Sequence, residues 1–278
     1  SDGQPMKMID WYIGIAPTMS NYVRQQTEMI TRAVHELNPD GVFLSFTRWP
    51  GFWELWTQEY QRCDFPEYSY DPISLGQFRG DTGVDVPHDD PTSSAAWIED
   101  NAREAWTGWK CQKVVDVIRG VKEACNQERA NTQIMLNTLP FGSDFDDAQE
   151  KVFGQNLKAL SDVVDVFEVM TYHQILKRPV DWIAQCGEYV KRRTGKKTVC
   201  ALQTIPLYLE GIHARKKRAT RLDNDEFAQA VTNVEEVGLD GVVVFVWSNL
   251  LDMVLYGDDM RRIDAIRTAI DRRTHKAG

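Results

Sequence analysis

The sequence predicts an α/β protein built on parallel strands, and three observations carry that reading. Strongly apolar runs recur along the chain, each follows a stretch of helical periodicity, and the turns that join them are short. Strands buried on both faces read as near-continuous apolar runs, as GVVVFVW at 241–247 does. A hydrophobic share of 42% with 26% charge is a globular composition, and 278 residues are enough for one large core, a size that α/β barrels reach as one unit.

Taken in chain order, the first strand is expected at 10–16 (DWYIGIA). A helix from about Tyr22 to Leu37 and the turn NPDG lead into the second, at 42–48 (VFLSFTR). A long helix from about Trp97 to Cys125 keeps Ile98, Ala102, Ala105, Trp109, Val114, Val117, Val121 and Ala124 on its apolar face. Strands at 133–139 (QIMLNTL), 164–172 (VDVFEVMTY), 198–204 (TVCALQT) and 241–247 complete six. The clearest unit precedes the last of them. Asp223 or Asn224 caps a helix with apolar positions Phe227, Ala230, Val231, Val234 and Val237, and Gly238 suits a left-handed stop. Asp40-Gly41 and Asp240-Gly241 enter their strands alike, as repeated βα units do.

The stretch at about 51–95 breaks this rhythm with WPGFWELW, CDFPEYSYDP and VDVPHDDP, rich in aromatics, Pro and Asp. The chain is therefore read as a single domain over 1–278 with an aromatic-rich insertion at about 51–95. Insertions after strands are where α/β barrels build substrate sites; a packed surface subdomain is the other reading.

Side chains alternate along a strand, so in VDVFEVMTYH one set is Phe167, Val169 and Thr171, facing helices, and the other is Val166, Glu168, Met170 and Tyr172, facing inward. An inward carboxylate is expensive to bury bare, so Glu168 is expected to have a partner or a proton, and it is the first catalytic candidate. Glycosidic chemistry uses two carboxyl groups, one acid and one nucleophile or base. Glu54, among the aromatics of WPGFWELW, ranks next, followed by Asp144 and Asp146 in PFGSDFDD and Asp252 in SNLLD. Asp144 is alternatively a cap for a helix starting near Asp147. Asn137, Gln203 and Trp247 lie at or near strand ends, where amides can meet sugar hydroxyls, and His173 follows just past Tyr172. Nine tryptophans are many for this length; Trp49, Phe52, Trp53 and Trp56 crowd one loop, and flat rings suit the apolar faces of sugars.

Other chemistries find little support. A net charge of −9 lacks the positive field that draws phosphate backbones, so no nucleic-acid partner is expected, and Arg215, Lys216, Lys217 and Arg218 read as a solvated loop. Cys63, Cys111, Cys125, Cys186 and Cys200 form no CxxC pair, and Cys186 and Cys200 sit in apolar patterns as small core residues. No predicted strand contains lysine, which disfavours a Schiff-base aldolase, and no HxH or HExxH occurs. His88, Asp89 and Asp90 read as a solvated turn rather than a cation site, and no glycine-rich phosphate loop follows the last two strands. No metal and no cofactor is expected. No apolar run is long enough for a membrane span, and the start SDGQPMKMIDWY lacks a leader pattern. That leaves a secreted or periplasmic protein if a leader was removed, otherwise a cytoplasmic one. The oligomeric state is open.

The segment DGVFLSFTRWPGFWE resembles the fourth-strand segment of glycosyl-hydrolase-like barrel families, whose pattern runs Asp-Gly-Ile-x-Leu-Asp-Phe/Tyr-Ile-Arg-Phe/Trp-Pro. LGQFRGDTGVDVP, AWTGWKCQKVVDVIRGVKEA, MLNTLPF, DVFEVMTYHQILKR, ALQTIP and GVVVFVW are similar to later parts of the same pattern, so the resemblance spans Trp11 to Trp247. It implies a (β/α)8 TIM-type barrel in which the six strands are the third to eighth, with the first two irregular or incomplete, and it implies ligand positioning by Arg48 and Trp49. One position departs: the family carries an acid where this chain has Leu44-Ser45-Phe46.

Three functions stay open on this reading. The first is a glycoside hydrolase acting on a poly- or oligosaccharide through Glu168 with Glu54 or Asp144; Arg48, Trp49, Trp53, Asn137, Tyr172, His173, Gln203 and Trp247 would hold the carbohydrate. The second is a barrel that binds polysaccharide without cleaving it, consistent with Ser45. The third is a lyase or isomerase using His173 and Tyr172 for proton transfer.

Overall fold

The structure, a computed structural model, describes residues 3–8, 12–204 and 222–276. The chain divides into two compact units. The first runs to Phe52 and takes in Gln61–Asn137 and Phe141–Asp165; the second comprises Trp53–Tyr60, Thr138–Pro140 and the chain from Val166 onward.

In the first unit, helix α1 (Ser20–Leu37) ends on Asn38 in the left-handed conformation and is followed by strand β1 (Gly41–Leu44). Helices α2 (Pro72–Thr82), α3 (Pro91–Asn101) and α4 (Arg103–Glu128) precede strand β2 (Gln133–Thr138), and α5 (Asp144–Lys151) and α6 (Leu157–Leu160) follow. Strands β1 and β2 run parallel, with Gly41 opposite Gln133 and Leu44 opposite Leu136. Asp71 and Asp90 cap α2 and α3, each with Pro as the first helical residue, a pairing of acceptor and pre-set φ that starts a helix at a defined point. Asp90 thus belongs to the turn expected at 88–90.

The second unit holds β3 (Val166–Val169), α7 (Asp181–Thr194), β4 (Lys197–Gln203), α8 (Asn224–Glu236), β5 (Gly241–Phe245), α9 (Trp247–Gly257) and α10 (Arg261–Lys276). Its three strands are parallel, β4 lying between β3 and β5. Glu168 is opposite Val199, and Gln203 is opposite Phe245. Helix α7 packs on β3 and β4 so closely that Gly187 has no room for a Cβ, which would meet Cys200 Sγ at 2.8 Å and a methyl of Leu239. Asp223 caps α8 by accepting from the Asp225 amide, and Phe227, Ala230, Val231 and Val234 are buried, as the helical spacing predicts, whereas Val237 is exposed because the helix ends at Glu236.

The α/β class with parallel strands therefore holds, with five strands among the described residues. Several expectations are corrected. Of the strand expected at 10–16, residues 10 and 11 lie outside the described part, and 12–16 show one bridge, at Tyr12. Strand β1 stops at Leu44 rather than residue 48, because the chain turns at Phe46, whose φ of 58° is left-handed. The single helix expected over 97–125 breaks at Ala102 (φ −142°, ψ 22°) into α3 and α4. The buried side of α4 is Trp106, Trp109, Lys110, Val114, Ile118, Val121 and Cys125, rotated from the predicted stripe so that Ala105 is exposed. Strand β5 stops at Phe245, and Trp247 starts helix α9. The basic cluster at 215–218 lies outside the described residues.

Candidate functional site

The second unit gathers most of the candidates. Helix α7 decides which way Glu168 faces. In register, Val169 lies opposite Cys200, whose thiol reaches the Ile183 carbonyl of α7 at 3.5 Å. Directly opposed residues share a face and successive ones alternate, so Phe167 and Val169 point at α7 and Glu168 points away from it. Its residue is 2% exposed. The expected orientation of this glutamate is what strand parity yields. Burial pushes the Cys200 thiol up to about 12, and the nearby Glu168 carboxylate adds to the effect.

The strand expected over 164–172 ends at Val169, and Tyr172, in the turns that follow it, is sandwiched between two rings. Trp53 stacks on it at 5.8 Å and Phe245 at 5.1 Å between centroids, with interplanar angles of 29° and 23°. Such contacts add roughly 0.5–1.5 kcal/mol per pair beyond area burial. They draw the short 3-10 turn Trp53–Leu55 onto the end of the strands, together with an ion pair of 2.8 Å from Lys177 to Glu59. Glu54 sits in that turn and is buried, so the second unit contains three buried glutamates among its described residues: Glu54, Glu168, and Glu235 on α8, which pairs with Arg272 at 3.3 Å. Gln203 is also buried, and its Oε1 accepts from the Ile175 amide at 3.3 Å, which ties the loop after β3 to the end of β4.

His173 follows Tyr172 and is 3% exposed; neither ring nitrogen has a hydrogen-bond partner among the described residues. Burial holds the imidazole down at about 4, so near neutral pH it is uncharged, with one donor and one acceptor. A histidine in the unfolded chain protonates near its ordinary value of 6.5, and the folded one near 4. Between these values the unfolded chain binds more protons, so stability falls as pH falls through that window, by about 3 kcal/mol in all. Urea unfolding at pH 7 and pH 4.5 is expected to show a loss about 2–3 kcal/mol smaller in His173→Gln than in the parent chain. Equal losses would show that this imidazole is not held neutral by the fold.

Most of the remaining candidates belong to the first unit; Trp56, Trp247 and Asp252 belong to the second. Trp49 is 0% exposed and donates its indole N–H to the Lys110 carbonyl at 2.9 Å. It packs at 5.5 Å from Trp109, in a cluster with Trp106, Phe78 and Tyr70. Gly154, at φ +70°, completes the fit, since a Cβ there would meet the Trp49 ring at 2.6 Å. Trp49 is thus a core residue. Trp53 and Trp56 are buried as well, so the loop tryptophans pack inward instead of offering open faces. Trp247 by contrast is open, at 61% exposure. Asn137 is buried at the end of β2, with Ser45 Oγ 3.5 Å from its Oδ1. Asp144 does not cap a helix. Ser143 stands at the cap position of α5, and Phe145, Asp146 and Asp147 all take left-handed φ values of 54–56°. Asp146 is spent on an exposed ion pair with Lys151, and Asp252 is exposed on α9.

Arg48, 3% exposed, lies under a cleft of about 390 Å³ lined by Tyr12, Tyr22, Ser45, Phe46 and Pro50. A larger cavity in the same unit, about 1230 Å³, is walled by residues such as Met6, Met8, Pro50, Tyr68 and Tyr70 and contains no candidate residue. Size alone therefore does not pick out the chemistry here. Phe245, Tyr12 and Tyr22 are site-forming rings that sequence reasoning did not name. Parity along GVVVFVW puts Phe245 on the same side as Trp247 and would have found it. Among the described residues no group of three or more His, Cys, Asp or Glu side chains is placed to hold a metal ion, and no helix is long and apolar enough to cross a membrane.

No family model matches the chain, and no curated protein matches it. Among solved structures it is similar to one described as a "putative alpha-L-fucosidase" from Bacteroides thetaiotaomicron. The two are 9% identical, with 86% of this chain and 85% of that chain covered and a TM-score of 0.33.

Proposed function

We propose that this chain is a carbohydrate-active enzyme, a glycoside hydrolase that cleaves a poly- or oligosaccharide with a pair of carboxyl groups, Glu168 and Glu54. The observation that carries the reading is the burial of Glu168 and Glu54 in one unit; a further buried glutamate there, Glu235, is on α8 and pairs with Arg272. Glu168 stands on a strand face turned away from the covering helix, and Glu54 is in a turn held by the Trp53–Tyr172–Phe245 stack. Buried acids are costly and rare, and a hydrolase needs two of them to divide the acid role from the nucleophile or base role. Neutral His173 and the amide of Gln203 supply donors and acceptors for hydroxyl groups. The same proposal takes the parallel strands as part of a (β/α)8 barrel in one domain, with the 51–95 insertion contributing Glu54, as the resemblance of DGVFLSFTRWPGFWE implies.

A second reading has its own observation. Ser45 stands where the resembled pattern carries an acid, which favours a barrel that binds polysaccharide and does not cleave it. Incubation with a panel of neutral and acidic polysaccharides separates the two by the release of reducing ends. Release supports the hydrolase. Retention of polysaccharide without release replaces it with the binding protein, and an unsaturated product absorbing in the ultraviolet replaces it with a lyase.

A further inference from the structure

We infer that the cleft above Arg48 is a carboxylate subsite, and that the saccharide bound by this protein carries hexuronic acid residues. The inference rests on the proposed carbohydrate activity for the sugar and on the first unit alone for the charge. The guanidinium is almost wholly buried, yet its Nε and Nη1 have no hydrogen-bond partner among the described residues. Its Nη2 makes one long contact, 3.4 Å to the Tyr12 hydroxyl. Arginine is always charged and carries five N–H donors, so at least three have no acceptor among the described residues.

Burying a guanidinium with so few acceptors is unfavourable unless something else supplies them. Among the described residues no ion pair joins Arg48 to an Asp or Glu, and no described residue of the cleft wall is an acid. The ring of Phe46 lies 4.9 Å from the guanidinium carbon and covers its face, so a ligand meets the group along its edge. Either edge that takes a carboxylate side by side combines Nη2 with one of the two partnerless nitrogens. Of the cleft's lining residues Tyr22 and Phe46 are partly open, at 43% and 47% exposure. A sugar ring can lie against such rings while its carboxylate reaches the arginine. The Ser45 hydroxyl is in the same wall. An aspartate there would neutralise the guanidinium and repel the ligand, so the serine leaves the charge available to an anion.

Calorimetric titration of the full chain tests this with a trigalacturonate, a glucuronate-containing oligosaccharide, their methyl esters, and acetate. At least one acid oligosaccharide is expected to bind on the order of ten- to a hundred-fold more tightly than its own ester, the range for one charged hydrogen-bonded pair. Arg48→Gln is expected to abolish that preference and Arg48→Lys to restore part of it. The comparison of acid with ester uses the unaltered chain, so it stands even if the arginine variants are unstable. Esters binding as tightly as both acids would overturn the inference, and acetate binding as tightly as the oligosaccharides would overturn its sugar half. Acid-selective binding with no cleavage of any polysaccharide would uphold the subsite and remove the hydrolase reading. Cleavage indifferent to charge would do the reverse.

Discussion

Glu168→Gln is expected to lower turnover on any polysaccharide the protein cleaves by about three orders of magnitude while the chain still unfolds in one cooperative transition. Loss of a positioned acid or base costs about 10²–10⁴ in rate, and a thousandfold corresponds to roughly 4 kcal/mol of transition-state stabilisation. The amide has nearly the volume of the carboxyl group, so no cavity opens at this buried position on β3. What is removed is the charge and the ability to give or take a proton. A role in chemistry lowers kcat and leaves KM within a few-fold, whereas a role in binding raises KM at constant kcat. Full activity in the variant would take Glu168 out of the mechanism. An inactive variant with an unchanged saccharide titration would place it at the reacting bond. Glu54→Gln tests the second carboxyl by the same two readouts, and non-additive losses in the double variant would show that the two act as one unit.

Much of the fold was legible because its signals are local. The cap at Asp223, the apolar stripe Phe227–Val234 and the left-handed Gly238 all lie within one βα unit, and each took its predicted place. Parity along VFEV gave the orientation of Glu168 because β3 is covered by α7 on one side. The failures share a different cause: they occur where long-range packing overrides local pattern. Helix α4 turned its buried side towards Trp106 and Lys110 because an aromatic cluster and a buried acid, both distant in sequence, claim that side. The ring density of the loop after β1 suggests sugar platforms, but Trp49, Trp53 and Trp56 are buried. The left-handed turn at Phe46, which shapes the Arg48 cleft, has no sequence signal, since glycine or asparagine is the residue such a conformation ordinarily selects. Arg48 was singled out only through a resemblance; that it is buried and short of acceptors is a three-dimensional fact.

The insertion that the sequence set apart is anchored by a charge cluster, and breaking that cluster is expected to produce a large loss of stability. Glu67 lies in CDFPEYSYDP and is almost buried. Its carboxylate meets Lys110 Nζ at 2.5 Å, Arg62 at 2.8 Å and Arg103 at 3.0 Å, and the Tyr70 hydroxyl donates to it at 3.3 Å. Burial alone would raise its pKa, but the charges of Lys110, Arg103 and Arg62 outweigh that and hold it at about 2. Lys110 is fully buried, and burial pulls its ammonium below the usual lysine range against the attraction of Glu67. Its hydrogen-bond partners are nonetheless acceptors: Glu67 Oε1 and the carbonyls of Lys151 at 2.6 Å and Val152 at 3.3 Å. That is the complement of an ammonium with three donors, so the charged pair is the state the cluster is built for. Glu67→Gln leaves three cations facing a neutral amide, and removing one partner of a buried pair costs about 3–5 kcal/mol. The titration gives a similar magnitude by a separate route. A carboxyl that protonates near 4.5 when unfolded and near 2 when folded contributes about 3 kcal/mol, present above pH 4.5 and lost as pH falls through 2. The stability gap between the parent chain and Glu67→Gln should accordingly be constant above pH 5 and shrink steadily towards pH 2. Glu67→Gln with Lys110→Met should recover part of the loss, because an apolar side chain of similar length then fills the buried site without a charge to satisfy. A gap below about 1 kcal/mol at pH 7, or one as wide at pH 3 as at pH 7, would mean that the three cations find their compensation elsewhere.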